Sequence, residues 1–406
     1  MKKTPKIEEI PGGITAVPGI KAGGINCGIK SGRLDLALVY SVIPASCAGV
    51  MTTNKIKSAS LSLDRKRFRK GVAQAIIINS GNANALTGLQ GLADATEMAT
   101  LTAVNLGIDP ESVIVASTGT IGNPLPMEKI RRGIPKLVRL LGDKDGSEAA
   151  QAIMTTDTVK KEFALRYHLR RKSFTIGGMA KGSGMIHPQM ATMLAFIATD
   201  ATIPARILRK LLKRSVDCSF NMISVDRDTS TNDLVVLLAN GMNKDFYVDD
   251  EKSMSYQGLQ EALDYTTSRL AEMIIRDGEG ATRLIRIRVK GARTSQEARG
   301  IARTISTSNL VKCAIYGGDP NIGRIMVAIG YSGHTIDPEK IDLCLNDLKV
   351  VQRGMKINFD RNRARRILQG KEIIIGVDLK QGKETAEALT CDLSPRYVEI
   401  NAHYCT

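Results

Sequence analysis

The stretch GGMAKGSGMIHPQMATMLAFIATD, residues 177–200, runs from glycine-dense backbone through Pro188 to Ala191 and Thr192, and then into an apolar run at 193–199. Glycine at this density supplies positive φ or lets the backbone approach something closely. The run that follows reads as a buried strand, so a hydroxyl stands at the mouth of a strand. Two readings fit the spacing. Thr192 can simply open the strand, since threonine suits a pleated surface. Alternatively, its hydroxyl attacks the Ala191 carbonyl, moves the acyl group from nitrogen to oxygen, and hydrolysis frees Thr192 as a new N-terminus. A free α-amine has a reference pKa of about 7.7 to 8.0, so a terminal threonine carries a base beside its own hydroxyl. The small Ala191 leaves room for that attack.

Working outward, short β-prone runs alternate with amphipathic ones, and no repeat or low-complexity segment interrupts them. Strands are predicted at 75–79, 113–116, 193–199, 234–238, 284–290, 324–329 and 373–377. Many are rich in Ile and Val without polar interruption, as strands buried on both faces are. Helices are predicted at 92–106, 204–216, 257–276 and 295–306. In the second of these, Ile207, Leu208, Leu211, Leu212 and Val216 form one face, and Arg206, Arg209, Lys210, Lys213 and Arg214 the other. The fold class is therefore α/β, with 406 residues enough for two domains or one large layered unit.

The bulk numbers exclude several functions. A net charge of +16 invites anions, but 4% aromatic residues and no Trp leave few stacking platforms for single-stranded nucleic acid. The basic clusters at 65–70 and 361–366 read as solvated faces. Seven cysteines, never spaced C-x-x-C, and four histidines, never H-E-x-x-H, give no metal site and no disulfide frame. No segment has the roughly 18 apolar residues of a membrane span, and the first residues lack a secretory apolar core. A soluble, cytoplasmic protein is expected. The G-x-S-x-G, P-loop and dinucleotide fingerprints are absent.

Several strings occur in a fixed order: TTNK at Thr52, NSGNAN at Asn79, STG at Ser117, TTDT at Thr155, KGSGMIHPQMATML at Lys181, SFN..SVD.DTSTND over 219–233, DGEGAT at Asp277, DPN.GR at Asp319 and YVEINA at Tyr397. With them the chain resembles the ArgJ family, the ornithine acetyltransferases or glutamate N-acetyltransferases, over essentially its whole length. The resemblance implies an ArgJ/DmpA-like layered sandwich of the N-terminal-nucleophile type, with sheets packed between helices. It implies cleavage after Ala191 into an α chain, 1–191, and a β chain, 192–406, assembled as a heterotetramer with two of each. It also implies transfer of acetyl from N-acetylornithine to glutamate through an acetyl-Thr192 ester, in arginine biosynthesis. No cofactor is implied; acetyl-CoA is a second acyl donor in some members.

Roles follow from the same resemblance. Thr192 is the nucleophile, Thr118 and Gly119 form the oxyanion hole, and Thr155, Lys181, Thr192, Glu279, Asn401 and Thr406 contact substrate. The chemistry is consistent, because a developing oxyanion needs uncrowded donors and a substrate with carboxylate and ammonium groups needs both charges in its pocket. The chain departs from the family strings at Gln189, Leu86, Arg227 and Ile322, and Arg227 stands where glycine is usual. Two other readings are a self-cleaving aminopeptidase of the same fold class, which gives its acyl group to water, and a basic anion- or nucleic-acid-binding protein without chemistry.

Overall fold

The computed structural model describes residues 6–142, 146–187 and 193–403. Two mixed sheets organise them. The larger has nine strands, eight of them in the order Ile7–Ile10, Lys161–Leu169, Lys172–Lys181, Leu194–Thr202, Leu234–Tyr247, Leu36–Met51, Val72–Asn82 and Val113–Thr120; the ninth, Ile20–Ile25, also pairs with Leu36–Met51. The smaller has seven, with Glu372–Asp378 at its centre and Leu284–Ala292 between it and Glu384–Cys391.

Both faces of the large sheet are buried, which accounts for its unbroken apolar runs. Ala75 and Ile77 pack with the helices Gly88–Leu106 and Met127–Arg139, while Ile76 and Ile78 enter a second cluster with Ala149 and Ala152 from Gly146–Ala152. At the other end, Ala195 and Ile197 meet the predicted apolar face of Ala205–Cys218 and that of Met254–Arg276. Leu284, Leu389 and Cys391 of the small sheet join the same cluster, so these two helices serve both sheets. The opposite face of the small sheet carries the helices Ser295–Ser306, Asn309–Tyr316, Ile322–Gly330 and Arg361–Leu368. Helices and sheets alternate as layers, as expected for the fold class.

One predicted strand is a helix. Residues 324–329 lie in the helix Ile322–Gly330, where Ile322, Ile325, Ala328 and Ile329 are buried and Val327 is 60% exposed. A strand would have placed 325, 327 and 329 on one face; the three-and-four spacing wins because the element packs by one side only. A second correction concerns the basic cluster at 65–70. Arg67 is buried, donating to Asp64 at 3.1 Å and to the Pro110 carbonyl at 3.1 Å, and so is no part of a solvated face. Among the described residues no helix is long and apolar enough to cross a membrane.

Candidate active site

The strand Leu194–Thr202 is held on both sides: Leu194 pairs with Lys181 in the antiparallel neighbour and with Leu234 in the parallel one. Just before it, the Met193 amide donates to the Asp233 carboxylate at 3.0 Å, and the Met193 carbonyl accepts from Leu234 at 3.2 Å. Ala191 and Thr192, the predicted cleavage pair, lie outside the described residues; Met193 follows Thr192 in sequence.

Asn232, beside Asp233, reaches in the other direction. Its side-chain amide donates to the Ser117 carbonyl at 2.7 Å and the Ala83 carbonyl at 2.6 Å. The STG turn is thereby tied to Met193, just before the strand Leu194–Thr202, through two adjacent residues. Thr118 and Gly119 sit where Val113–Thr120 runs beside Ser80 and Gly81. Gly119 has φ of +133°, and a Cβ there would stand 2.3 Å from the Gly81 carbonyl carbon, so only glycine fits. The TTNK string serves the same frame: Thr52 donates to the carbonyls of Asp233 at 3.0 Å and Ser230 at 2.8 Å, and Asn54 donates to that of Thr229 at 2.9 Å.

Four predicted substrate residues form two touching pairs. The Lys181 ammonium donates to the Thr155 hydroxyl at 2.6 Å, and the Asn401 amide donates to the Glu279 carboxylate at 2.8 Å. Glu279 is 7% exposed and crowds Gly184, where a Cβ would fall 2.3 Å from its carboxyl carbon. Burial lowers the Lys181 ammonium below the ordinary lysine range, opposed by Asp157, Glu279 and Asp233. Thr406 lies outside the described residues. Four acidic or basic groups that carried no predicted role, Asp157, Lys161, Asp233 and Asp277, are all buried here. Burial pushes the Asp233 carboxyl well above the usual carboxylate range. Among the described residues no group of His, Cys, Asp and Glu is arranged to hold a metal.

The model of the ArgJ family matches residues 21–406. This chain belongs to the ArgJ family. It is 49% identical over 403 residues to the arginine biosynthesis bifunctional protein ArgJ of Symbiobacterium thermophilum, covering 98% of this chain and 100% of that one. It is also 49% identical to ArgJ 1 of Clostridium acetobutylicum, over 96% of this chain and 97% of the relative. The crystal structure of ArgJ from Bacillus halodurans is matched at 40% identity with a TM-score of 0.50, over 52% of this chain and 98% of that chain. The departure from the ArgJ strings at Arg227 has a structural counterpart, since Arg227 adopts φ of +77°, a left-handed conformation in which glycine carries no steric penalty.

Proposed function

We propose that this chain is an N-acyltransferase of arginine biosynthesis: it cuts itself between Ala191 and Thr192, then moves acetyl from N-acetylornithine to glutamate through an ester on Thr192. The observation that supports the reading is the Ser117–Asn232 contact next to the Asp233–Met193 contact, which ties the turn that holds Gly119 to Met193, the residue that follows Thr192 in sequence. The relatives' names place them in arginine biosynthesis.

In this reading the Thr192 hydroxyl attacks the acetamide carbonyl while its own α-amine takes the proton. Thr118 and the Gly119 N–H steady the oxyanion, worth about 10²- to 10³-fold for one such donor in acyl transfer. The C–N bond breaks and ornithine leaves with that proton. The glutamate amine then attacks the ester, and N-acetylglutamate leaves as the threonine oxygen regains a proton. Lys181 meets the substrate carboxylate and Glu279 the ornithine ammonium. The relatives' description as bifunctional supports acetyl-CoA as a second donor. The proposal includes the heterotetramer and a cytoplasmic location, which six unpaired cysteines among the described residues fit.

Intact mass and denaturing electrophoresis of the parent beside Thr192→Ala, followed by incubation with labelled N-acetylornithine, test it. The parent should give two fragments, the second beginning at Thr192 and gaining one acetyl group, while the variant stays whole and unlabelled. A parent that remains one chain and takes up no acetyl sinks the reading. Release of acetate to water without glutamate dependence would favour the aminopeptidase alternative.

A further inference from the structure

Three separate segments supply substrate contacts in the proposed reaction, and a buried ionic cluster joins them. Asp157 has a fully buried side chain with both oxygens occupied. Oδ1 accepts from Lys161 Nζ and the Gly182 amide, each at 2.7 Å, and Oδ2 accepts from the Thr155 amide at 3.0 Å. Lys161 is equally enclosed, and its three donors go to Asp157, to Asp277 at 2.6 Å and to the Val159 carbonyl at 3.2 Å. Asp277 accepts from the Thr158 amide at 3.0 Å, and its carbonyl accepts from the Ser183 hydroxyl at 2.6 Å. The Ser183 carbonyl in turn accepts the Glu279 amide at 3.0 Å. Thr155, Lys181 and Glu279 thus sit on segments fixed to one another through Asp157, Lys161 and Asp277.

The charges matter as much as the ties. Lys181 stands 3.8 Å from Asp157, too far for a close ion pair, and gives its short bond to the neutral Thr155 hydroxyl. Lys161 pairs with Oδ1 of Asp157, while Oδ2, the oxygen nearest Lys181, already accepts the Thr155 amide, so the carboxylate charge is shared between two ammonium groups. A buried ammonium with no anion nearby gives up its proton, so Lys181 needs Asp157 close; a substrate carboxylate can use it only if Asp157 does not bind it tightly.

We propose that Asp157 is a positioning residue for acyl transfer: it fixes Thr155, Lys181 and Gly182 about one point, and its pairing with Lys161 leaves the Lys181 charge available to the substrate carboxylate. The inference rests on the assignment of Lys181 as the carboxylate partner. Among the groups facing Lys181, Asp157, Glu279 and Asp233 favour its charged form and Lys161 opposes it, and the Lys181 charge in turn lowers Lys30. Lys181 and Lys161 in turn hold the Asp157 carboxyl below the usual range despite its burial.

The test is the pH dependence of kcat/KM for N-acetylglutamate in the reverse half-reaction, because that substrate carries no amine to titrate and kcat/KM reports the free enzyme. Asp157→Asn keeps an acceptor but removes the charge, so the alkaline limb should move to lower pH, with about a tenfold loss at pH 9 beyond any loss at pH 7. Lys161→Met frees Asp157 to close on Lys181, so the limb should move to higher pH, with about a tenfold loss at pH 7. Opposite shifts are not expected of general loosening, and either alone decides the matter if the other variant does not fold. A folded variant whose alkaline limb stays in place overturns the inference. Lys181→Ala tests the assignment beneath it: parent-like kcat/KM at pH 7 would remove Lys181 from the pocket whatever the other two variants do.

Discussion

The Met193 amide donates to the Asp233 carboxylate at 3.0 Å, which sets a buried carboxyl beside the residue bonded to Thr192. Its other oxygen has no hydrogen-bond partner among the described residues, and burial holds the carboxyl well above its usual pKa. A carboxyl in that state takes up a proton more readily than an ordinary one, which suits a group that exchanges protons. Asp233→Asn keeps an acceptor for Met193 and loses the titrating proton. Self-cleavage should slow at least tenfold, read as the uncut fraction against time on denaturing gels, while the melting temperature at pH 6 stays near the parent's. Cleavage at the parent's rate would leave Asp233 as a tether only.

Gly119→Ala forces a Cβ to within 2.3 Å of the Gly81 backbone at a φ that side chains rarely adopt. The turn must shift, and with it the Gly119 N–H. Acyl-enzyme formation from N-acetylornithine should fall about a hundredfold or more, the cost of losing an oxyanion donor. Stopped-quench mass spectrometry of the acetylated chain measures it, using protein that has already been cut. A loss of less than threefold would take Gly119 out of the oxyanion hole.

Arg227→Gly should stabilise the chain. A non-glycine residue in left-handed backbone costs about 1 to 2 kcal/mol, and the extra freedom of unfolded glycine returns about half to one of these, so a net gain of roughly 0.5 to 1 kcal/mol is expected. Differential scanning of parent and variant checks it. The same change removes a positive neighbour of His187, whose pKa is lowered first by burial and then by Arg227, so the imidazole should titrate at higher pH by NMR. A lower melting temperature would show that the Arg227 side chain makes a contact worth more than the strain.

The layers were legible because both faces of the large sheet are buried and its strands carry no polar interruption, as at Ile76–Ile78. The run at 324–329 was not, since six mostly apolar residues fit either period and only the exposed Val327 separates them. At the site, the resemblance supplied Lys181, Thr155, Glu279 and Asn401, and the structure pairs them. Asp157 and Asp277 lay inside the TTDT and DGEGAT strings without a role. Lys161 was hidden by its neighbour, because Lys160-Lys161 reads as a solvated pair, and Lys160 is indeed exposed. The alternation Lys161, Phe163, Leu165, Tyr167 does put Lys161 on the buried face of its strand, a period-2 signal that a charged residue obscures.

Asp226 should give a pH-dependent stability of definite sign. Its carboxylate accepts the amides of Met185 at 2.6 Å, Ile186 at 2.9 Å and Asp228 at 3.2 Å, and burial pushes it up to about 6 in spite of these bonds. The folded chain therefore binds a proton between about pH 4 and pH 6 that the unfolded chain does not. The contribution is fully present below about pH 4 and is lost as pH rises through 6, a change on the order of 3 kcal/mol for a two-unit shift. Asp226→Asn cannot titrate, so its stability relative to the parent should improve from pH 4.5 to pH 7.5, even though asparagine supplies fewer acceptor sites and the variant starts lower at acid pH. Melting temperatures in a Thr192→Ala background, where the chain stays whole, read the change without interference from cleavage. A parent-to-variant gap that is the same at both pH values would mean that Asp226 stays ionised throughout, its three amide donors outweighing its burial.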